Sequence, residues 1–285
     1  MPQPLSGIDH VIVGVDDLER ARIAWTRLGF TLTPRGRHLQ KGTGNYCIMF
    51  ERDYLELMGL VDPAQGAGGL ETFLQAGEGL RGLAFATRSG DDTAAALTSR
   101  GLHPAAPSAL ARQLELPEGS VLPRFKLVTL PPEETPALSA FVCQHLTPEL
   151  VRRPSWLQHE NAVTGIAGLT VVVAATEPLR PAYERLFGTD VVTTDDVLTV
   201  HVGGHVILFV TADDFSALYP EADPVARPLP AVGALTLQSR DLAATLEHFT
   251  RWHVDHDEAA DGSILVPPAA ATGALLLITR AGARA

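Results

Sequence analysis

One stretch near the amino terminus decides the fold: residues 8–30 read IDHVIVGVDDLERARIAWTRLGF. Its first part is a short run rich in β-branched residues, which favours a strand. Asp16 or Asp17 then offers an N-cap, and the apolar positions that follow, Ile23 among them, form one stripe of a helix. Gly29 is the residue type that commonly ends a helix. The stretch therefore predicts a strand followed by a helix.

The same pattern recurs along the chain. The four copies begin at His10, Gly82, Gly168 and Ala234. In the first two copies the starting residue and the glycine after the helix are 19 positions apart, and in the third they are 20 apart. Short apolar stretches follow each helix, in the first copy at 30–34, 45–50 and 54–60. Four copies at comparable intervals indicate an internal repeat of one strand, one helix and three strands.

A βαβββ module leaves one face of its sheet apolar and uncovered, so two modules are expected to pair around a shared cavity. The sequence predicts an α+β fold in which four such modules form two cup-shaped barrels. The first domain is predicted over 1–158, with modules at about 5–60 and 80–146, and the second over 159–285, with modules at about 164–211 and 230–280.

Composition narrows the class of function. The 285 residues include 33 Asp and Glu against 22 Lys and Arg, which argues against nucleic acid because phosphate needs a basic partner face. The sequence has no apolar run of about 18 residues, the length that spans a membrane, and its first seven residues lack the charged and apolar regions expected of a signal peptide. Its two cysteines lie far apart, as in cytosolic proteins. We expect a cytoplasmic monomer or homodimer that binds a small molecule.

Two side chains in the first module are candidates for a metal site. Alternate side chains of a strand share a face, so Tyr54 and Glu56 point one way and Leu55 and Leu57 the other. A lone carboxylate in the middle of a buried strand is costly, and a metal ion would compensate its charge. His10, on the first strand, would be the neighbouring ligand.

The second module offers a third candidate. His145 shares a face of its last strand with Cys143, and we match His145 to Glu56. Gly82, which matches His10, has no side chain to serve as a ligand. Two histidines and one carboxylate, with open positions left over, are a common set for Fe(II), Mn(II) or Zn(II).

The run 8–60, with Asp-His-Val in its first strand and Tyr-Leu-Glu-Leu in its fourth, resembles the glyoxalase-like domain of the vicinal-oxygen-chelate superfamily. The resemblance implies that His10, Glu56 and His145 hold one divalent metal ion (Fe, Mn, Zn or Ni). It further implies a lyase or isomerase that acts on a small oxygen-rich molecule through a metal-stabilised oxyanion. The second pair of modules is expected to be metal-free, because Gly168, Ile207, Ala234 and roughly Leu276 stand at its ligand positions.

Further residues are expected to face the same cup. His38 is predicted to act as an acid or base, since an imidazole exchanges protons near neutral pH, and Glu56 could double as a proton acceptor. We assign Thr43, Asn45 and Tyr54 to substrate binding.

Two alternatives stay open: an Fe(II) extradiol-type dioxygenase, and a metal-free small-molecule binding protein of the drug-sequestering kind. Extradiol enzymes, however, keep their metal in the carboxyl-terminal pair of modules. The low aromatic content of 6% slightly disfavours a binder that stacks its ligand. His159 is expected to be a solvated linker residue, and His201 and His205 to belong to a hairpin.

Overall fold

A computed structural model of the protein describes residues 3–39 and 41–282. The first two modules contain β1 Gly7–Gly14, α1 Leu18–Arg27, β2 Gly36–His38, β3 Thr43–Met49, β4 Tyr54–Leu60, α2 Leu70–Leu74, β5 Gly79–Ala86, α3 Gly90–Ser99, β6 Ser108–Leu116, β7 Gly119–Val121, β8 Arg124–Thr129 and β9 Ala140–His145. The last two contain β10 Val163–Val172, α4 Arg180–Phe187, β11 Val191–Thr194, β12 Val197–Val202, β13 His205–Val210, α5 Ala212–Leu218, β14 Ala231–Ser239, α6 Leu242–Arg251, β15 Asp257–Glu258, β16 Ile264–Val266 and β17 Leu276–Arg280. The four predicted βαβββ modules are all present.

Local signals explain the first module. Asp17 is the N-cap of α1, and its side chain accepts hydrogen bonds from the backbone of the first turn. The buried face of the helix carries Trp25, whereas Ile23, which the sequence places in the apolar stripe, is 61% exposed. The strand predicted at 30–34 is not formed, and β2 begins at Gly36. Pro34 explains this difference, because it has no N–H for a sheet ladder.

The first two modules form a closed barrel. The strand order is β2-β3-β4-β1-β5-β9-β8-β6, and an additional pairing between β2 and β6 closes it, with β7 extending the edge of β6. The last two modules repeat this arrangement in a sheet of order β11-β12-β13-β10-β14-β17-β16-β15. Within the described residues, the two edge strands of this second sheet are not paired with each other. We call this open second sheet the second barrel. Both barrels place the first strands of paired modules, β1 with β5 and β10 with β14, side by side at the centre.

The central strand pair of the first barrel contains two β-bulges. Asp9 is an extra residue in β1 between the pairs that Ile8 and His10 make with β5. Arg81 is an extra residue in β5, opposite the step from Ile12 to Val13. The two bulges are related by the pseudo-twofold axis of the pair, so that Asp9 matches Arg81 and His10 matches Gly82. A bulge breaks the alternation of a strand and can aim two successive side chains at one face.

The two barrels share one hydrophobic core cluster that draws residues from all four modules. Polar links cross between them as well: His205 accepts from the backbone N–H of Ile8 and bonds Asp53 at 3.2 Å. His159 is buried between the rings of Phe30 and Phe50. His159 is therefore not the solvated linker residue that the sequence suggests, because it fills a gap under the connection between the barrels.

In the part of the chain that the structure describes, no helix has the length and apolar character required to cross a membrane.

Candidate active site

A cavity of about 800 Å³ lies inside the first barrel. Five of the residues predicted for the site line it: His10, His38, Thr43, Tyr54 and Glu56. The other two predicted residues, Asn45 and His145, are packed behind the lining and contact residues that belong to it. The strands of the first module therefore bring most of the predicted residues to one cavity.

His10 and Glu56 face each other at the floor of this cavity. The Nε2 atom of His10 lies 3.6 Å from Oε2 of Glu56, and both side chains are almost fully buried. The other ring nitrogen of His10, Nδ1, is 2.7 Å from a carboxylate oxygen of Asp9. Asp9 therefore accepts the proton of Nδ1, which leaves the lone pair of Nε2 directed towards Glu56. The ring of Tyr54 stacks on His10, with 4.5 Å between the ring centroids.

Asp9 is a member of the site that the sequence analysis missed. A regular strand would turn it away from His10, but the bulge puts both side chains on the same side. Asp9 also contacts Nε2 of His145 at 3.1 Å and lies within 4.8 Å of the thiol of Cys143. Burial alone would raise its pKa, yet His145 and His10 hold the pKa of Asp9 well below its usual range. A carboxylate directly before the histidine is the only sequence signal for it.

The Glu56 carboxylate is held by three neighbours in all. His38 Nε2 lies 3.4 Å from its second oxygen, and Asn45 donates to that same oxygen. Burial would raise the pKa of Glu56, but His38, His10 and Asn45 together keep it well below its usual range. Nδ1 of His38 is 2.8 Å from the Thr43 hydroxyl. The carboxylate is therefore charged at neutral pH, and the ring of His38 is fixed at the edge of the cavity.

The register of β9 corrects the match between His145 and Glu56. Glu56 pairs with Ile12, two residues after His10. In the second module the residue two positions after Gly82 is Ala84, and its partner is Phe141. Phe141 therefore occupies the position that matches Glu56. His145 lies four residues further on, beyond Cys143, the last residue of β9 that pairs with β5, and it pairs with Phe125 of β8.

A divalent metal ion fits between His10 and Glu56. Two ligand atoms about 2.1 Å from an ion at a tetrahedral angle lie about 3.4 Å apart, close to the 3.6 Å found here. The carboxylate that orients His10 from behind is the usual support of a histidine ligand. Nε2 of His145, the third predicted ligand, contacts a carboxylate oxygen of Asp9 at 3.2 Å in this structure.

Another group of donors lies beside this pair. Among the described residues, the ligand atoms of Asp9, His10 and Cys143 all lie within 4.8 Å of one another. The 2.7 Å between Asp9 and His10 is a hydrogen-bond length, and burial raises the pKa of the Cys143 thiol well above its usual value. This group therefore has the chemistry of a hydrogen-bonded network that supports His10.

The second barrel carries none of these groups at the matching positions. The strand pairings of the second barrel match those of the first barrel, residue by residue. Gly168 therefore takes the place of His10, and Leu208 takes the place of Glu56. The residue at the second ligand position is therefore Leu208, and the expectation of Ile207 from the sequence was wrong. Ile207 points into the hydrophobic core. The void at this place in the second barrel measures only about 20 Å³.

The sequence model of the glyoxalase-like domain matches residues 8–187. The chain belongs to this family. The match spans both modules of the first barrel, which contains the cavity, and reaches the end of α4 in the second. No curated protein sequence matches the chain.

Solved structures resemble this glyoxalase-like protein over nearly its whole length. A hypothetical protein from Staphylococcus aureus has 13% identity and a TM-score of 0.67, with 96% of this chain and 98% of that one covered. A triple mutant of 4-hydroxymandelate synthase from Streptomyces coelicolor also has 13% identity, a TM-score of 0.61 and coverages of 99% and 95%. A fusion of a xylose isomerase-like TIM barrel with 4-hydroxyphenylpyruvate dioxygenase has 14% identity, a TM-score of 0.57 and coverages of 100% and 50%. These similarities show the fold of the vicinal-oxygen-chelate superfamily.

Proposed function

We propose that this protein is a metal-dependent enzyme, a glyoxalase-like lyase or isomerase that acts on a small oxygen-rich molecule in the first barrel. The observation that carries the proposal is the pair formed by His10 Nε2 and Glu56 Oε2, 3.6 Å apart at the floor of a cavity of about 800 Å³. A charged carboxylate in so buried a place calls for a cation beside it.

Each neighbour of this pair has a definite task in the proposed reaction. Asp9 fixes the tautomer and the ring orientation of His10, and Asn45 orients the carboxylate of Glu56. A divalent ion bound there would supply Lewis-acid stabilisation for an oxyanion on the substrate. His38 lines the cavity with its Nε2 near Glu56, so it can give a proton to the substrate or take one from it. The Thr43 hydroxyl holds this ring from the other side.

The ion content of untagged protein, purified without added metal, tests the proposal. We expect about one equivalent of Fe, Mn, Zn or Ni in the wild type, by the stoichiometry of a single site. Glu56→Ala should lower the content at least about tenfold, because a ligand is lost. Glu177→Ala removes an exposed glutamate of the second half and serves as the matched control. A wild type that stays empty after incubation with all four metals would refute the enzyme and leave the metal-free binding protein.

His145 as a third ligand remains a proposal that the same assay tests. If His145→Ala empties the site as fully as Glu56→Ala does while Asp9→Asn keeps the metal, His145 is a ligand and must turn away from Asp9 to bind. If the metal is retained, His145 supports Asp9 only. Iron as the native metal would direct activity assays to the dioxygenase alternative, and zinc or nickel to isomerisation.

A further inference from the structure

The cavity of the first barrel is cationic although the chain is acidic overall. The formal net charge is −11, yet the described lining residues include three arginines, Lys41 and one carboxylate, Glu56. The arginines are Arg81, Arg112 and Arg227. None of the three has a carboxylate within 4.0 Å in the described part of the chain. Arg112 is buried, and Arg81 and Arg227 are half-buried. Desolvated charges in proteins are normally paired, and the described part of the fold provides no carboxylate as a partner for these three.

Two of the three arginines are engaged by the protein. Arg227 lies at the mouth of the cavity, 3.8 Å above the ring of Phe73, and donates to the backbone carbonyls of Phe73 and Glu78. Arg112 is buried in the wall, and its Nη1 lies 2.8 Å from the sulfur of Cys47. Both arginines thus hold parts of the cavity wall together and add to its positive potential.

Arg81 is the arginine that is free to bind a ligand. It sits on the bulge of β5, so it and its neighbour Leu80 both line the cavity. Among the described residues its side chain makes one hydrogen bond, to the carbonyl of Gly68. Burial lowers the pKa of its guanidinium, and the charge of Glu56 acts in the opposite direction. Most of its donors are therefore available in a partly desolvated place near Glu56.

The matching bulges show that the fold itself does not require an arginine here. The second barrel has the same two bulges, and the residues on them are Ala167 and Gly233. Gly233 takes the place of Arg81 in a barrel whose interior is filled. The charged residue occurs at the bulge of the barrel that has the cavity. Arg81 therefore serves the cavity and not the strand pairing.

The rest of the lining is mainly apolar. Near Glu56 it includes Ile12, Met58, Phe125 and Phe141. A ligand that satisfies this surface has one anionic group and a hydrophobic body, since apolar and aromatic walls favour apolar atoms and a guanidinium favours a carboxylate.

We propose that the substrate is a carboxylate with an apolar body, and that Arg81 binds its carboxylate group while the reacting oxygens face His10 and Glu56. This inference rests on the proposed function for its reaction and defines the class of substrate.

Calorimetric titration of EDTA-treated protein with 3-phenylpropionate, and with the neutral 3-phenylpropionamide of the same size, tests the inference. We expect the wild type to bind the acid about 10- to 100-fold more tightly, the range that a charge-assisted pair supplies. Arg81→Gln should bring the two affinities within about threefold and leave the amide unaffected. Arg81→Lys should keep part of the preference. Arg88→Gln, which removes an exposed arginine two residues beyond β5, should behave as the wild type does.

Equal affinity for acid and amide in the wild type, or a preference that survives in Arg81→Gln, would overturn the inference. Failure of the wild type to bind either probe would also overturn the inference. Metal content is measured on the same samples before EDTA treatment. A protein without metal that still prefers the acid would contradict the proposed function alone, and a metal-bound protein without the preference would contradict the carboxylate alone.

Discussion

The two barrels of this protein have the same wall and different interiors. From His10 to Gly14 the pairings of β1 with β4 and β5 are matched one for one by those of β10 with β13 and β14, bulge included. Among the described residues, the first barrel encloses a cavity of about 800 Å³, whereas the void at the matching place in the second measures about 20 Å³. The strand pairing therefore belongs to the repeated module, whereas the site depends on which side chains stand at a few matching positions.

The second barrel is filled by α5 and the residues just after it, which follow the third module of the chain. Phe215 of α5 packs so closely on Gly233 that a Cβ there would lie 2.6 Å from its ring. Just beyond α5, the hydroxyl of Tyr219 lies 2.7 Å from that of Thr170, at the position matching Ile12. Phe215 thus occupies space that the side chain of Arg81 uses in the first barrel. The same bulge serves a cavity when it carries arginine and a packed core when it carries glycine.

The largest effect is expected from emptying the filled barrel. Phe215→Ala removes a fully buried ring and should lower the free energy of unfolding by about 3–5 kcal/mol. Phe141→Ala removes a half-buried ring that already borders a cavity, so we expect roughly 1–2 kcal/mol. Urea denaturation of metal-free protein measures both. Equal losses would mean that the interior of the first barrel is packed as tightly as that of the second.

An intermediate effect concerns the junction between the barrels. His159 accepts from the backbone N–H of Thr31, contacts the carbonyl of Met49 at 3.0 Å, and its pKa is lowered by burial to about 4. An unfolded histidine titrates near pKa 6.5, so below that pH the unfolded chain binds a proton that the folded protein does not. Stability should fall as the pH decreases from about 6.5 towards 4, with a contribution of roughly 2 kcal/mol from His159 by pH 4.5.

In His159→Gln this part of the pH dependence should disappear, while His201→Gln, a change at an exposed histidine of β12, should leave the profile as it is in the wild type. Unfolding free energies of EDTA-treated protein at pH 7.0, 5.5 and 4.5 give the comparison, with these pH values chosen to span the histidine range. Parallel profiles for wild type and His159→Gln would contradict the burial of a neutral imidazole.

The smallest effect is expected from removing helix caps, and it tests whether helices of the two barrels contribute equally to stability. Asp17 caps α1 and Asp241 caps α6, each by accepting backbone N–H groups of the first helical turn. Asp17→Ala and Asp241→Ala should each cost about 1 kcal/mol of stability, within experimental error of one another. A clearly larger loss in one variant would show that the helices of the two barrels differ in their contribution, against the equivalence seen in the sheets.

The sequence predicted the repeated module, and with it the fold, because helix and strand periodicities and the Asp17 cap are local properties. It also predicted that His10, His38, Thr43, Tyr54 and Glu56 share a surface, since regular alternation fixes the face of each side chain. The prediction was wrong at two places: the strand at 30–34 does not form, where Pro34 cannot join a sheet ladder, and Ile23 lies off the buried face of α1, which carries Leu18, Ala21 and Trp25.

The sequence by itself therefore determined the modules, their pairing and the pair His10 and Glu56. Only the tertiary structure decided that Asp9 supports His10, that Arg81 lines the cavity, that Phe141 stands where His145 was matched, and that the second barrel is filled by Phe215. For the second barrel the physical reason is the packing of α5 against β14, and for Asp9, Arg81 and His145 it is strand pairing. A bulge or a shift in register turns side chains to another face, and both arise from contacts between strands that lie far apart in the chain.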